Sequence, residues 1–593
     1  MVQEKMEIPP PKQDEKTQEP DDQKKKGGLR TMPFIIANET FEKVASYGLL
    51  ANMILYLKFD YNMTTAGGAR VLFIWSATSN FLPLLGSFLS DSYMGRYRVI
   101  AFGSIVSLLG MISLWTTTVI QGARPRDCPT YVDCETSNSS QLTLLYTSFA
   151  LMSIGAGGIR PCSLAFGADQ LHHPDKQKKT MILQSFFNWY YASVGLSLMV
   201  AVTVIVYLQD SAGWKLGFGI PAILMMISAA LFYLGSPLYV KMKADKSLFT
   251  GFAQVVVAAV KNRQLPPPPS GNWYHYNKGS KLIVPTSTLS FLNKACLKKN
   301  PEKDTNLDVL LATDPWSLCT VQQVEDLKSL IKLMPIWSTG IMLAVLLSQH
   351  TFQILQASTM DRHICPTFQI PAGSFGVFGI LSLTLWVAIY DRILVPRLAK
   401  LTGNPRGLSL KHRMGIGLVL SCTATAVAAV VESHRRKRAI EQGLSNNGYG
   451  VVEMSAMWLV PQHCIMGLAE AFNIIGQIEF YYSELPKRMS SIGVALFALG
   501  MGVGNLIATV ILGAVDDMSK AGGKESWVSN NINGGHYDYY YWVLTVLGGV
   551  NLFYFLLCSW AYGPCKEDEF GVLGKEDEVD DEMTKSGHAS MVL

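Results

Sequence analysis

Along most of this chain, apolar residues gather in runs separated by short polar loops. A run of about 20 residues, rising about 1.5 Å each, is what a helix needs to cross a bilayer core. Twelve such runs are predicted as spans, the first six near 33–57, 70–90, 97–119, 141–167, 183–208 and 215–237. After a long polar interval six more follow, near 330–353, 371–396, 411–433, 453–479, 491–514 and 539–562. Six spans, a linker and six spans predict an all-helical membrane protein with two six-helix bundles, the plan of a transporter built from repeats. The expected division is a tail over 1–30, a bundle over 31–237, a linker over 238–328, a second bundle over 329–562 and a tail over 563–593.

Short loops orient the spans. Arg96 and Arg98 follow the second run, Lys178 and Lys179 the fourth, Arg397 and Lys400 the eighth, and Lys487 and Arg488 the tenth. Cytoplasmic loops carry the excess of Lys and Arg, so this side, with the linker and both termini, is expected to be cytosolic. The basic run Arg435-Arg-Lys-Arg438 falls on the opposite side and is read as an extended, water-exposed helix end. In the linker, Phe249, Phe252, Val256, Ala259 and Val260 recur at helical spacing, which predicts an amphipathic helix against the bundle or membrane surface.

Composition agrees with a membrane protein. Of 593 residues, 49% are hydrophobic and only 16% charged, against about a quarter charged in soluble domains. A net charge of +5 gives no reason to expect nucleic acid. The ten cysteines show no CxxC spacing, so no metal centre is expected. Cys128 and Cys134 share a polar loop with the sequon at Asn138 and are disulfide candidates; a second sequon begins at Asn62 on the same predicted side. No nucleophile elbow or phosphate loop is present, and neither an enzyme nor an organic cofactor is expected.

Charge inside the spans carries the chemistry. Glu39, Glu42 and Lys43 share one helix face of the first span. A charge at bilayer depth costs at least about 2.5–3.5 kcal/mol, so such groups normally face a bundle interior or a wet pathway. Arg160, beside Pro161 in the fourth span, is a permanent cation that needs an anionic partner or substrate. Glu470, alone in the tenth span, is its expected partner, an ion pair made and broken between bundles as a gate. Gln349 and His350 are polar in the seventh span, and Asn188 and Tyr191 belong to an aromatic patch opening the fifth. Between the second and third spans, Gly86, Asp91, Gly95 and Arg96 form a polar hairpin in which a glycine turn fixes a cation.

That hairpin resembles the loop motif of the major facilitator superfamily. Glu39-Thr-Phe-Glu-Lys43, Phe166-Gly-Ala-Asp-Gln170, Phe187-Asn-Trp-Tyr-Tyr191, Met360-Asp-Arg362 and Phe480-Tyr-Tyr-Ser-Glu-Leu-Pro-Lys487 resemble the proton-coupled oligopeptide transporter family in its plant nitrate and peptide branch. The resemblance implies a major facilitator fold, a proton as the coupling ion and a small-molecule substrate. It assigns proton coupling to Glu39, Glu42 and Lys43, the last standing where the family motif usually has arginine. It places the nitrate-binding histidine of one plant transporter at Leu347, and that transporter's phosphorylated threonine at Val99. The expected function is proton-coupled import of a small anionic solute at the plasma membrane. Nitrate stands first, with a carboxylate hormone, a secondary metabolite, a di- or tripeptide, or nutrient sensing as alternatives.

Overall fold

Helix starts are fixed where side chains satisfy the first free backbone N–H groups. Oxygens of Thr64, Asn138 and Thr320 accept from the backbone N–H of Gly67, Gln141 and Gln323, and at the last two the glutamine closes a capping box. The computed structural model describes residues 27–126, 135–171, 176–242, 248–266, 273–276, 284–298, 314–402, 407–486 and 489–565. Its first-half helices are α1 (Met32–Ala51), α2 (Met53–Phe59), α3 (Thr65–Leu89), α4 (Arg96–Val119), α5 (Ser139–Gln170), α6 (Lys176–Val200), α7 (Val206–Ser211) and α8 (Trp214–Leu234). Next come α9 (Leu248–Lys261) in the linker, α10 (Val321–Thr339), α11 (Ile341–Ser348), α12 (His350–Ser358), α13 (Gly376–Ile389) and α14 (Val395–Thr402). The last are α15 (Leu410–Glu441), α16 (Val460–Glu484), α17 (Ser490–Ser519) and α18 (Tyr537–Tyr562).

Ten helical stretches among the described residues are long and apolar enough to cross a membrane. Two more helical stretches, α1 with α2 and α16, stand where the first and tenth spans are expected and are consistent with twelve. Their apolarity is lowered by Glu39, Glu42 and Lys43 in one and by Gln462, His463, Glu470, Asn473 and Gln477 in the other. The chain is a multi-pass, all-helical membrane protein built as two bundles.

The halves repeat one another at the level of single residues. A Cβ on Gly86 of α3 would lie 2.0 Å from the Gly157 carbonyl oxygen of α5, and one on Gly467 of α16 would lie 2.2 Å from that of Gly379 in α13. Only glycine permits either approach. Arg96 pairs with Asp169 at 2.6 Å in the first half, and Arg413 with Glu479 at 2.6 Å in the second. Nearby on α16, Glu484 accepts from the Tyr562 hydroxyl at 2.8 Å.

Three expectations need correction. The tenth span does not begin at 453: strand β4 (Val452–Ser455) pairs in parallel with β1 (Met360–Asp361), and the helix starts at Val460, where Pro461 fits a first turn. The basic run is a helix end exposed at Lys437 and Arg438, as expected, but not at Arg435. Arg435 is fully buried, 2.8 Å from Glu432, and donates to the Ile532 carbonyl and to Asn533 Oδ1; Arg436 donates to the Gly535 carbonyl. In the linker, α9 does lie against the second bundle, through Phe252, but its buried face is Val255, Ala258 and Ala259, packed on Leu292, Cys296 and Val324, while Val256 and Val260 of the expected face are exposed.

The bundles are bonded together at the end opposite the linker, which carries the hairpin of β2 (His363–Cys365) and β3 (Phe368–Gln369). Lys58 donates to the Asn530 carbonyl at 3.0 Å, Arg70 pairs with Asp516 at 3.1 Å, Arg362 with Asp210 at 3.6 Å, and Ser374 donates to the Val202 carbonyl at 2.8 Å. Tyr207 stacks on Phe368 across the same seam. Cys128 and Cys134 lie outside the described residues; the eight described cysteines form no disulfide with one another.

Candidate functional site

Between the bundles lies a cavity of about 600 Å³. α1 and α5 bring Tyr47 and Arg160 to one wall; α11, α12 and α16 bring Leu347, His350, His463 and Glu470 to the other. Behind the first wall sits a quartet of charges. Lys43 Nζ is 3.4 Å from Glu39, and Arg160 Nη2 is 3.3 Å from Glu42 Oε1, which also accepts from the Ser46 hydroxyl at 2.7 Å. Both carboxylates are fully buried, and each keeps one oxygen, Glu39 Oε2 and Glu42 Oε2, without a partner among the described residues. The Tyr47 ring stands between the cations, its centroid 5.7 Å from Lys43 Nζ and 5.5 Å from Arg160 Cζ. Spacing explains the quartet: Glu39 and Lys43 are one turn apart on α1, and Glu42 lies on the side facing α5.

The predicted gate pair is not formed. Arg160 holds Glu42, and Glu470 lines the opposite wall with no ion pair or hydrogen bond to any described residue. The reason is position: Glu42 reaches Arg160 within its own bundle, whereas Glu470 lies across the cavity. Gln349 is also displaced from the expected site. It is buried, donates to the Val345 carbonyl and accepts from the Tyr540 hydroxyl at 2.9 Å, which makes it a strut between α11 and α18. Asn188 and Tyr191 are exposed and absent from the cavity wall; the buried neighbour of Glu39 on α6 is Tyr190. Leu347 and His350 do line the cavity, and the His350 Nδ1 lies 3.1 Å from the Leu347 carbonyl.

In the loop motif, Gly86 makes the close helix approach and Gly95 has φ 78°, a left-handed turn that suits glycine. Asp91 is 3.4 Å from Arg96, a longer contact than Arg96 makes with Asp169. The sequence reading missed His463 and Gln353. His463 precedes Glu470 by seven residues, two helical turns, and Gln353 follows His350 by three, so same-face spacing was the available signal.

Two repeated bundles around a central cavity, with unpaired charge on one wall and a charge quartet behind the other, define a secondary transporter rather than an enzyme. The chain belongs to the POT family: the profile described as "PTR2: POT family" matches residues 97–528. It is 55% identical over 569 residues to Protein NRT1/ PTR FAMILY 1.2 of Arabidopsis thaliana, covering 94% of each chain. It is 54% identical to Protein NRT1/ PTR FAMILY 1.1 of the same plant, over 93% of this chain and 95% of that one. In fold it is similar to an auto-inhibited POT family peptide transporter, with a TM-score of 0.67 and 20% identity over 90% of this chain and 98% of that one.

Proposed function

We propose that the chain is a proton-coupled symporter that imports a small anionic solute across the plasma membrane, with nitrate the first candidate and both termini in the cytosol. The observation that carries this reading is the balanced quartet beside the cavity, in which two carboxylates face two cations. An anion arriving at Arg160 adds a negative charge to a site shielded from water, which is unfavourable unless a proton comes with it. A proton on Glu42 supplies that charge and loosens the bond to Arg160, freeing the guanidinium for the solute. Lys43 keeps Glu39 neutralised meanwhile. Proton and anion then enter together, and the site stays close to neutral through the cycle.

A second reading enlarges the cargo. Nitrate has four heavy atoms and fills little of a 600 Å³ cavity, and Leu347 offers it no hydrogen bond. The volume suits an organic anion or a short peptide. Uptake of labelled nitrate, a dipeptide and gibberellin into oocytes, at acidic and neutral external pH, separates the cargoes. Uptake of the true cargo rises as the external medium is acidified. Uptake indifferent to pH would refute the coupling, and a cargo bearing no anionic group would refute the role given to Arg160.

A further inference from the structure

The wall formed by α12 and α16 holds polar groups that the coupling cycle does not use. Gln353 lines the cavity, is 8% exposed, and makes no hydrogen bond to any described residue. Its amide therefore opens on the cavity with no partner among the described residues, free to donate to and accept from a ligand. His350 is on the same face, three residues earlier. A carbonyl oxygen can only accept, so His350 donates its Nδ1–H to Leu347 and presents Nε2 as its remaining polar atom. His463 lies beside it, within electrostatic reach, and its Nε2 likewise has no partner among the described residues. Along α16, His463 stands seven residues nearer the hairpin end than Glu470, about 10 Å at the helical rise.

We propose that Gln353 and His350, backed by His463, form a second polar subsite, toward the hairpin end of the cavity from the level of Glu470. It takes the distal hydrogen-bonding end, a hydroxyl, carbonyl or amide, of an elongated solute whose anionic end sits on Arg160. Apolar residues, among them Leu347, Ile354, Met466 and Ile474, line the same cavity and suit an apolar middle. The carboxamide of Gln353 both donates and accepts, and His350 Nε2 accepts when the ring is neutral, so the subsite distinguishes a polar terminus from a methyl group. This inference rests on the reading of Arg160 as the seat of the anion.

The test uses the purified full chain and the thermal shift produced by octanoate, ω-hydroxyoctanoate and nitrate. The hydroxy acid is expected to bind wild type about tenfold more tightly than octanoate, the size of one or two net hydrogen bonds. Gln353→Leu should erase that difference while leaving the octanoate shift in place, and His350→Ala should reduce it, which guards against a folding defect in either variant alone. Equal binding of the two acids to wild type, or a difference that survives both substitutions, overturns the subsite and leaves the anion reading standing. Nitrate binding without either acid does the same. Failure of all three anions overturns both.

Discussion

Glu42→Gln should exchange solute but not accumulate it. Glutamine keeps the shape of the protonated acid and a hydrogen-bonding partner for Ser46, which now donates to the carboxylate at 2.7 Å, but it cannot release a proton. Arg160 loses the counter-ion 3.3 Å away and is free for an anion in every state. Binding is therefore retained or tightened, and the proton gradient no longer drives the cycle. In liposomes, counterflow of labelled solute against unlabelled solute should persist near the wild-type rate, while accumulation driven by an imposed pH gradient falls to background. Gradient-driven accumulation by the variant would show that Glu42 is not the coupling acid. Loss of both activities would make it a structural residue.

Arg435→Met is the substitution with the largest expected effect on stability. The guanidinium is buried and holds four groups together: Glu432 at 2.8 Å, the Ile532 carbonyl at 2.8 Å, Asn533 Oδ1 at 2.5 Å and Thr359 Oγ1 at 3.2 Å. Its removal strands Glu432, whose other oxygen contact is Gln356 Nε2 at 2.6 Å, and breaking one side of such a pair costs about 3–5 kcal/mol. The variant should melt well below wild type and lose its monodisperse peak in detergent. Adding Glu432→Leu should recover part of the loss, because the buried charge is then gone, but not all of it, since Asn533 and Gln356 remain short of partners. A single variant as stable as wild type would refute this account of the helix end.

The spans and their order were readable because hydrocarbon length and loop charge act on every residue of a crossing. The charged face of α1 was readable for the same reason, since Glu39, Glu42 and Lys43 have no cheap alternative to an interior site. Partner choice was not. Arg160 and Glu470 were matched as the two conspicuous charges of the fourth and tenth spans, but pairing depends on the distance between helices, and Glu42 on the neighbouring helix was closer. Gln349 and Gln353 carry the same side chain one turn apart, yet one is a strut to Tyr540 and the other faces the cavity. A small break at Gln349, between α11 and α12, resets the helix face there and sequence spacing does not report it. The basic run misled because a charge count takes every arginine as hydrated, whereas Arg435 is neutralised three residues away by Glu432.

The seam at the hairpin end bears on how fast such a carrier can turn over. In the state described, Arg70–Asp516, Arg362–Asp210 and Lys58–Asn530 tie the bundles together on that side. On the proposed import cycle, these bonds and the Ser374–Val202 contact must part together before the empty protein can reload from the hairpin side. The return of the unloaded carrier is therefore the natural bottleneck of the cycle, and a solute that rebinds from the linker side and helps the bundles rock would relieve it. Expressed as kinetics, the seam makes the proposed cycle favour exchange over net flux: trans-stimulation is expected from bonds whose charged partners lie outside the cavity wall.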